Sequence, residues 1–182
     1  MKKLISMILA VAVLASSVLL INATAADPKG TIVGNSVSGG PGETVEIPVT
    51  VDTASTAGVV ALGISIEYDK DNLELVSWTN GDFFPAAALT ASETIATYPY
   101  ELQYEDGLSA AKKGKKLLGT FKFKIKDSAV VVKEGYTVKI SMLPGYTYDH
   151  DMNDIDFDVT SPVVTVVCKN HKFGAYTYNN DA

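Results

Sequence analysis

Residues 117–126 read LLGTFKFKIK, and this stretch decides the fold class because apolar and basic side chains alternate along it. Successive side chains of a β-strand point to opposite faces of a sheet, so a period of two indicates a strand with one buried face. The predicted inward positions are Leu117, Gly119, Phe121, Phe123 and Ile125, and the predicted outward positions are Lys122, Lys124 and Lys126.

The same alternation recurs along most of the chain. In residues 43–52, four β-branched aliphatic side chains share one side, although Pro48 is typical of an edge or a bulged strand. Residues 83–92 are rich in alanine, and one helical turn could follow Pro85 there. Further strands are predicted over residues 31–38, 59–68, 73–79, 97–105, 135–142 and 162–168.

Eight or nine short strands with turn signals between them, and no long helical pattern, predict an all-β domain built as a two-sheet sandwich or a barrel. The alternation also predicts where the aromatic side chains lie. It points Trp78 outward with Glu74, whereas Tyr68, Tyr100 and Tyr104 fall on inward positions.

The first 26 residues have the parts of a secretory signal peptide. Two lysines precede an apolar run of 18 residues, and small residues with A-x-A spacing lead to Asp27. We expect cleavage after Ala25 or Ala26. An uncleaved membrane anchor is the alternative, but the run is short of the roughly 20 residues that span a bilayer. The predicted divisions are a leader at 1–26, one domain at 27–168 and a polar, aromatic tail at 169–182.

Charge and cysteine content exclude several classes of protein. The formal net charge is −6, and it becomes −8 once a leader carrying Lys2 and Lys3 is removed. An acidic chain is a poor partner for nucleic acid or for anionic lipid. Cys168 is the only cysteine, so no intrachain disulfide can form.

Catalytic and metal-binding signals are weak. The sequence contains two histidines and no recognisable arrangement of nucleophile, base and phosphate loop, so we expect no enzyme. Cys168 and His171 have the spacing of two zinc ligands, but a structural site needs four. Residues 149–155 begin like an EF-hand loop, yet Asp154 stands where glycine is needed and Thr160 where glutamate is needed. A solvated acidic loop is the favoured interpretation.

The strand over residues 59–68 has an unusual outward side. Three small residues, Ala61, Gly63 and Ser65, precede Glu67 on that side. Small residues leave a flat surface that another backbone can approach. A large side chain at Gly63 is therefore expected to project outward and to leave the core undisturbed.

The order of several segments resembles a cohesin domain. The resemblance covers about residues 30–168, and Ala57-Gly58 and the turn Asn80-Gly81-Asp82 are part of it. The segments with the strongest resemblance are 37–49 (VSGGPGETVEIPV), 64–69 (ISIEYD), 73–76 (LELV) and 114–126 (GKKLLGTFKFKIK).

The resemblance implies a nine-stranded antiparallel β-sandwich with jelly-roll topology and no catalysis. It implies a secreted or cell-surface module, carrying one cohesin, that recruits dockerin-bearing proteins to a cellulosome-type complex. No cofactor is expected on this domain, because calcium belongs to the dockerin. The residues implied to face the dockerin are Ala61, Gly63, Ser65, Glu67, Glu101, Gln103, Glu105, Lys139, Ser141, Leu143 and Tyr146.

Two other functions also fit an all-β sequence of this kind. A carbohydrate-binding module can use the same sandwich and would grip polysaccharide with exposed aromatic rings, and the chain has nine tyrosines. Against it, Trp78 is the only tryptophan and three of the tyrosines are predicted inward. A purely structural surface-layer domain has no positive signal.

Overall fold

The computed structural model describes residues 29–92, 94–107 and 110–167. The predicted leader, the tail and the Cys168–His171 pair lie outside these residues. Within the described ranges no helix has the length and apolar character needed to cross a membrane. The described strands are β1 (Gly30–Gly34), β2 (Val37–Gly39), β3 (Thr44–Asp52), β4 (Ala61–Glu67), β5 (Leu73–Asn80), β6 (Leu89–Ala91), β7 (Tyr100–Glu105), β8 (Lys115–Ile125), β9 (Tyr136–Thr137), β10 (Lys139–Met142), β11 (Phe157–Thr160) and β12 (Val163–Val166).

These strands form three sheets. A five-stranded sheet has the order β11-β1-β3-β8-β5, a four-stranded sheet the order β10-β4-β7-β6, and a three-stranded sheet the order β2-β12-β9. The pairs β1–β11 and β2–β12 are parallel, and the others are antiparallel. The helical turn predicted after Pro85 is present as a 3₁₀ turn over Ala86–Ala88.

The all-β prediction is confirmed, but the prediction of nine antiparallel strands is wrong in two respects. The described residues hold twelve strands, because predicted strands 31–38 and 135–142 each divide in two, and because β6 and β11 were not predicted. Each division lets one extended segment pair in two sheets: β1 pairs with β3, whereas β2 pairs with β12. The two parallel pairs contradict a wholly antiparallel arrangement. The jelly-roll topology stays a prediction.

The core lies between the five-stranded and four-stranded sheets. Alternate side chains of β3 and β8, such as Ile47 and Phe121, pack in one cluster with Leu62 of β4 and Leu102 of β7. All four are fully buried. Burying an aliphatic or aromatic side chain contributes about 1.5–3 kcal/mol, so these inward columns drive the two layers together. The opposite side of the four-stranded sheet is left on the outside of the sandwich.

Two irregularities change which side chains enter the core. In β8, the register skips Leu118, which is buried, while Leu117 is exposed, so the predicted inward position of Leu117 is wrong. In β5, the register skips Val76, and Trp78 beyond it pairs with the buried Phe121. An extra residue in one strand reverses the alternation that follows it. Trp78 therefore points inward rather than outward, with its ring 4.3 Å from that of Phe121.

Candidate protein-binding face

The outward residues of β10, β4, β7 and β6 form one continuous surface, called here the β4 face. Strand register brings the predicted residues together in rows. Ser65 lies between Ser141 and Glu101, and Gly63 lies beside Gln103. Two more rows pair Ala61 with Glu105 and Glu67 with Lys139. The nine strand residues predicted to face a partner therefore share one side of one sheet.

Charged and polar groups occupy the periphery of the β4 face. Lys139 Nζ donates to Glu67 Oε1 at 2.9 Å, and both side chains are well exposed. An exposed ion pair of this kind contributes only about 0–1 kcal/mol to stability. On the other side of β4, the carboxylate of Glu105 accepts a hydrogen bond from the Tyr148 hydroxyl at 3.3 Å. These groups can exchange their present contacts for contacts with a partner at little cost to the fold.

The centre of the β4 face is covered by residues 143–148, called here the covering segment. The backbone N–H of Leu143 donates to the Gly63 carbonyl at 2.9 Å, and the Gly63 N–H donates to Thr147 Oγ1 at 3.4 Å. A Cβ atom added at Gly63 would lie 2.5 Å from the Cβ of Tyr146. Just before β4 begins, Val60 donates its N–H to the Tyr148 carbonyl at 3.0 Å.

This arrangement corrects the sequence-based view of β4. A backbone does approach the small residues, as predicted, but it is the chain's own backbone. Ala61 and Gly63 are buried beneath it, and Ser65 is 9% exposed. A large side chain at Gly63 would displace the covering segment, so the expectation that it would leave the fold undisturbed is wrong.

The covering segment presents Tyr146 above the sheet. Its side chain is 48% exposed, next to the half-buried Leu143. Gly145 supports this turn with a φ of +75°, a backbone conformation that glycine adopts without strain. Tyrosine provides a large, rigid contact area at low entropic cost, which is why it is common at interaction hot spots.

Two residues of this surface were not predicted from the sequence. Thr90 is exposed on β6, directly beside Gln103. Its three-residue strand lies in the segment where alanine content favoured a helical turn, so the alternation there was too short to detect. Tyr148 forms a bridge with Ala61, a contact between residues far apart in sequence that no local pattern indicates.

The loop that follows the covering segment is organised around Asp149. Its Oδ1 atom accepts hydrogen bonds from the backbone N–H groups of Asp151 and Asn153, at 2.8 and 2.9 Å. The side chain of Asn153 donates to both carboxylate oxygens. Asp149 is only 8% exposed, so the prediction of a solvated acidic loop is wrong for this residue. Among the described residues, no three His, Cys, Asp or Glu side chains converge on a point where a metal ion could bind.

These hydrogen bonds predict an acid-sensitive stability. The bonds donated by Asn153 lower the pKa of Asp149 in the folded state. A carboxyl group with a lowered folded pKa stabilises the fold above its unfolded pKa of about 3.9, and that stabilisation is lost as the pH falls through the folded value. Asp149→Asn keeps an acceptor oxygen but loses the charge. We expect its melting temperature to lie below the parent's at pH 7 and the difference to shrink towards pH 3. A difference that is constant across this range would contradict a role for ionisation.

Among the described residues, the Trp78 ring packs against the core instead of lying open to a sugar ring. Trp78 Nε1 donates to the Tyr104 hydroxyl at 3.1 Å, and that hydroxyl donates to Asn80 Oδ1 at 2.6 Å. Tyr104 is 1% exposed, and burial raises its pKa well above the ordinary value. The predicted inward positions of Tyr100 and Tyr104 are confirmed. The more exposed Tyr98 lies under the Lys70 ammonium group, which is 4.3 Å from its ring centre.

The fold is a β-sandwich in which one outer sheet face carries polar groups around the exposed ring of Tyr146. The sequence pattern of the cohesin domain matches residues 30–166. The chain belongs to the cohesin family, since this match covers most of its length. No curated protein matches the chain by sequence.

Solved structures with the same fold include several cohesins. The seventh ScaB type I cohesin from Pseudobacteroides cellulosolvens is 17% identical, with a TM-score of 0.67 over 78% of this chain and 94% of that one. A chain of the Coh-OlpA–Doc918 complex from Clostridium thermocellum is 20% identical, with a TM-score of 0.63 over 76% and 99%. A non-cellulosomal cohesin from Archaeoglobus fulgidus is 16% identical, with a TM-score of 0.61 over 77% and 92%.

Proposed function

We propose that this protein is a non-catalytic module that binds a dockerin through the β4 face. Membership of the cohesin family supports this function, as do the solved complexes of similar cohesins with dockerins. The observation that carries the proposal is the covering segment, which fixes Tyr146 over the middle of an otherwise polar sheet face. An aromatic anchor surrounded by polar groups is the usual arrangement of a binding hot spot.

Each part of the surface has its own role in this proposal. Tyr146 and Leu143 pack against an apolar stripe of the dockerin, and their positions are set by Gly63 beneath them. Acidic and amide groups of β7, together with Lys139 and Ser141 of β10, form hydrogen bonds around this anchor. Ala61 and Ser65 contribute by their small size, which lets the covering segment and the partner approach the sheet.

The wider setting is part of the proposal. We infer an exported protein, secreted or held at the cell surface, that recruits dockerin-bearing polysaccharide-degrading enzymes or scaffold subunits to a cellulosome-type complex. The predicted leader supports this setting, as do a scaffoldin cohesin and several cohesin–dockerin complexes among the similar structures. The non-cellulosomal cohesin of Archaeoglobus fulgidus shows that the fold also occurs elsewhere. Carbohydrate binding is not proposed, because the structure packs Trp78 against the core.

Binding is expected to depend on calcium that the partner carries. In a titration of the mature protein against a panel of dockerins, a complex should form with calcium and be lost in excess chelator. The protein alone should melt at the same temperature in both buffers, because the calcium belongs to the dockerin.

Leader cleavage is tested separately. When the full sequence is expressed in a bacterium and the protein is recovered from the medium, its N-terminus should lie near Ala26 or Asp27.

Two results would contradict this proposal in different ways. If the isolated protein binds calcium tightly, the metal belongs to this domain and not to the dockerin alone, as proposed. A complex that survives thorough chelation would argue against a dockerin as the partner.

A further inference from the structure

A cavity of about 340 Å³ opens beside the β4 face, where β10 ends. One wall is formed by Met142 and by Leu143, which also packs over Gly63. Ile155 and Phe157 also line the cavity and are called here its far wall. Because Leu143 belongs both to the cavity and to the covering segment, a partner seated on the β4 face would reach the mouth of this cavity.

The walls of the cavity are held in place by hydrogen bonds. Ile155 donates its N–H to the Thr147 carbonyl at 3.2 Å, which ties the far wall to the covering segment. The Asp156 carbonyl accepts a hydrogen bond from the Gly30 N–H at 2.9 Å, which ties the same wall to β1. A cavity with walls fixed in this way loses little entropy when it is filled.

Two carboxylates give the cavity its charge. Asp154 and Asp156 both line it, both are exposed, and together they are called here its acidic rim. Within the described part of the chain, neither carboxylate has an ion-pair partner. Apolar walls below a doubly acidic rim suit a side chain with a long aliphatic stem and a cationic end.

We propose that this cavity receives a lysine or arginine side chain of the protein partner. The inference rests on the proposed function, and it adds a specificity site at the edge of the β4 face. The stem would pack on Met142, Leu143 and Ile155 while the cationic end lies between Asp154 and Asp156. A purely apolar side chain would fill the walls but leave both carboxylates without a partner. The cavity thus selects dockerins with a basic residue at this position.

The test compares two double variants with the same change in charge. Asp154→Asn with Asp156→Asn removes the acidic rim and keeps the shape of the cavity. Asp71→Asn with Glu134→Gln removes two exposed carboxylates that precede β5 and β9, away from the cavity. We expect the first pair to weaken dockerin binding about fivefold to tenfold at about 50 mM NaCl and much less at about 500 mM, because salt screens exposed charges. The second pair should change the affinity less than twofold.

Alanine replacement of each lysine and arginine of the dockerin identifies the occupant. One of these dockerin replacements should weaken binding to the parent protein. The same replacement should have little further effect on binding to the Asp154→Asn/Asp156→Asn variant. The cavity proposal is overturned if the two double variants lose the same dockerin affinity, or if Asp154→Asn with Asp156→Asn loses none. Neither result contradicts dockerin binding itself. If the parent binds no dockerin of the panel, the proposed function fails and the cavity proposal fails with it.

Discussion

Gly63→Ala is expected to weaken dockerin binding roughly tenfold to a hundredfold, which corresponds to about 1.4–2.8 kcal/mol. The added methyl group would lie 2.5 Å from the Cβ of Tyr146 and 2.9 Å from that of Leu143, so the covering segment must move away from the sheet. That movement displaces the aromatic anchor and stretches the two hydrogen bonds that Gly63 makes with Leu143 and Thr147. We also expect the free energy of unfolding to fall by about 1–3 kcal/mol, as is usual when extra volume enters a packed site. Titration calorimetry and thermal melting measure the two effects.

Gly114→Ala is the matched control for this variant. Gly114 has a φ of +104° and no atom within 4 Å of an added Cβ, so alanine there strains the backbone without touching the β4 face. Backbone strain of this kind costs about 1–3 kcal/mol. Both variants should therefore melt at a lower temperature, but only Gly63→Ala should lose affinity. If Gly63→Ala melts lower yet binds a dockerin like the parent, the covering segment lies outside the interface.

Trp78→Ala is expected to destabilise the domain by about 2–4 kcal/mol, as removal of a large aromatic side chain from a packed site does. For a domain of this size the melting temperature should fall by roughly 5–15 °C. The variant loses the contact with Phe121 and leaves the buried Tyr104 hydroxyl without the Nε1 donor. Dockerin affinity of the folded fraction should stay within about twofold of the parent's, since Trp78 lies on the core side of the other sheet.

Val76→Ala is the matched control for Trp78→Ala. Both residues lie on β5 two positions apart, so simple alternation would place them on the same side. The irregularity at Val76 separates them: Val76 is 43% exposed and Trp78 packs on the core. Val76→Ala should cost less than about 1 kcal/mol. Equal destabilisation by the two changes would contradict the inward position of Trp78, and loss of polysaccharide binding in Trp78→Ala would revive the carbohydrate-binding interpretation.

The same irregularities show what local sequence can and cannot predict. Alternation correctly placed Phe121, Phe123 and Tyr104 in the core, because a regular strand carries its period from residue to residue. It placed Leu117 and Trp78 wrongly, because one extra residue reverses every position beyond it. Nothing in the composition near Leu118 or Val76 marks that extra residue.

The candidate site was also predictable from the sequence only in part. Small side chains on β4 correctly predicted a close approach by a backbone, since that requirement is local to the strand. The identity of that backbone depends on a contact between Gly63 and residues about 80 positions later, which no local pattern encodes. The register that places Ser65 between Ser141 and Glu101 likewise follows from the assembled sheet.

The edges of the four-stranded sheet are built in a way that limits aggregation. Its edge strands β10 and β6 are only four and three residues long. Short edges offer few unpaired backbone groups to a strand from another molecule, which limits edge-to-edge aggregation in a crowded medium. For this sheet, contacts through the side chains on its surface are therefore favoured over pairing at its edges. Partner choice can then diverge by a few surface substitutions while the backbone scaffold stays the same.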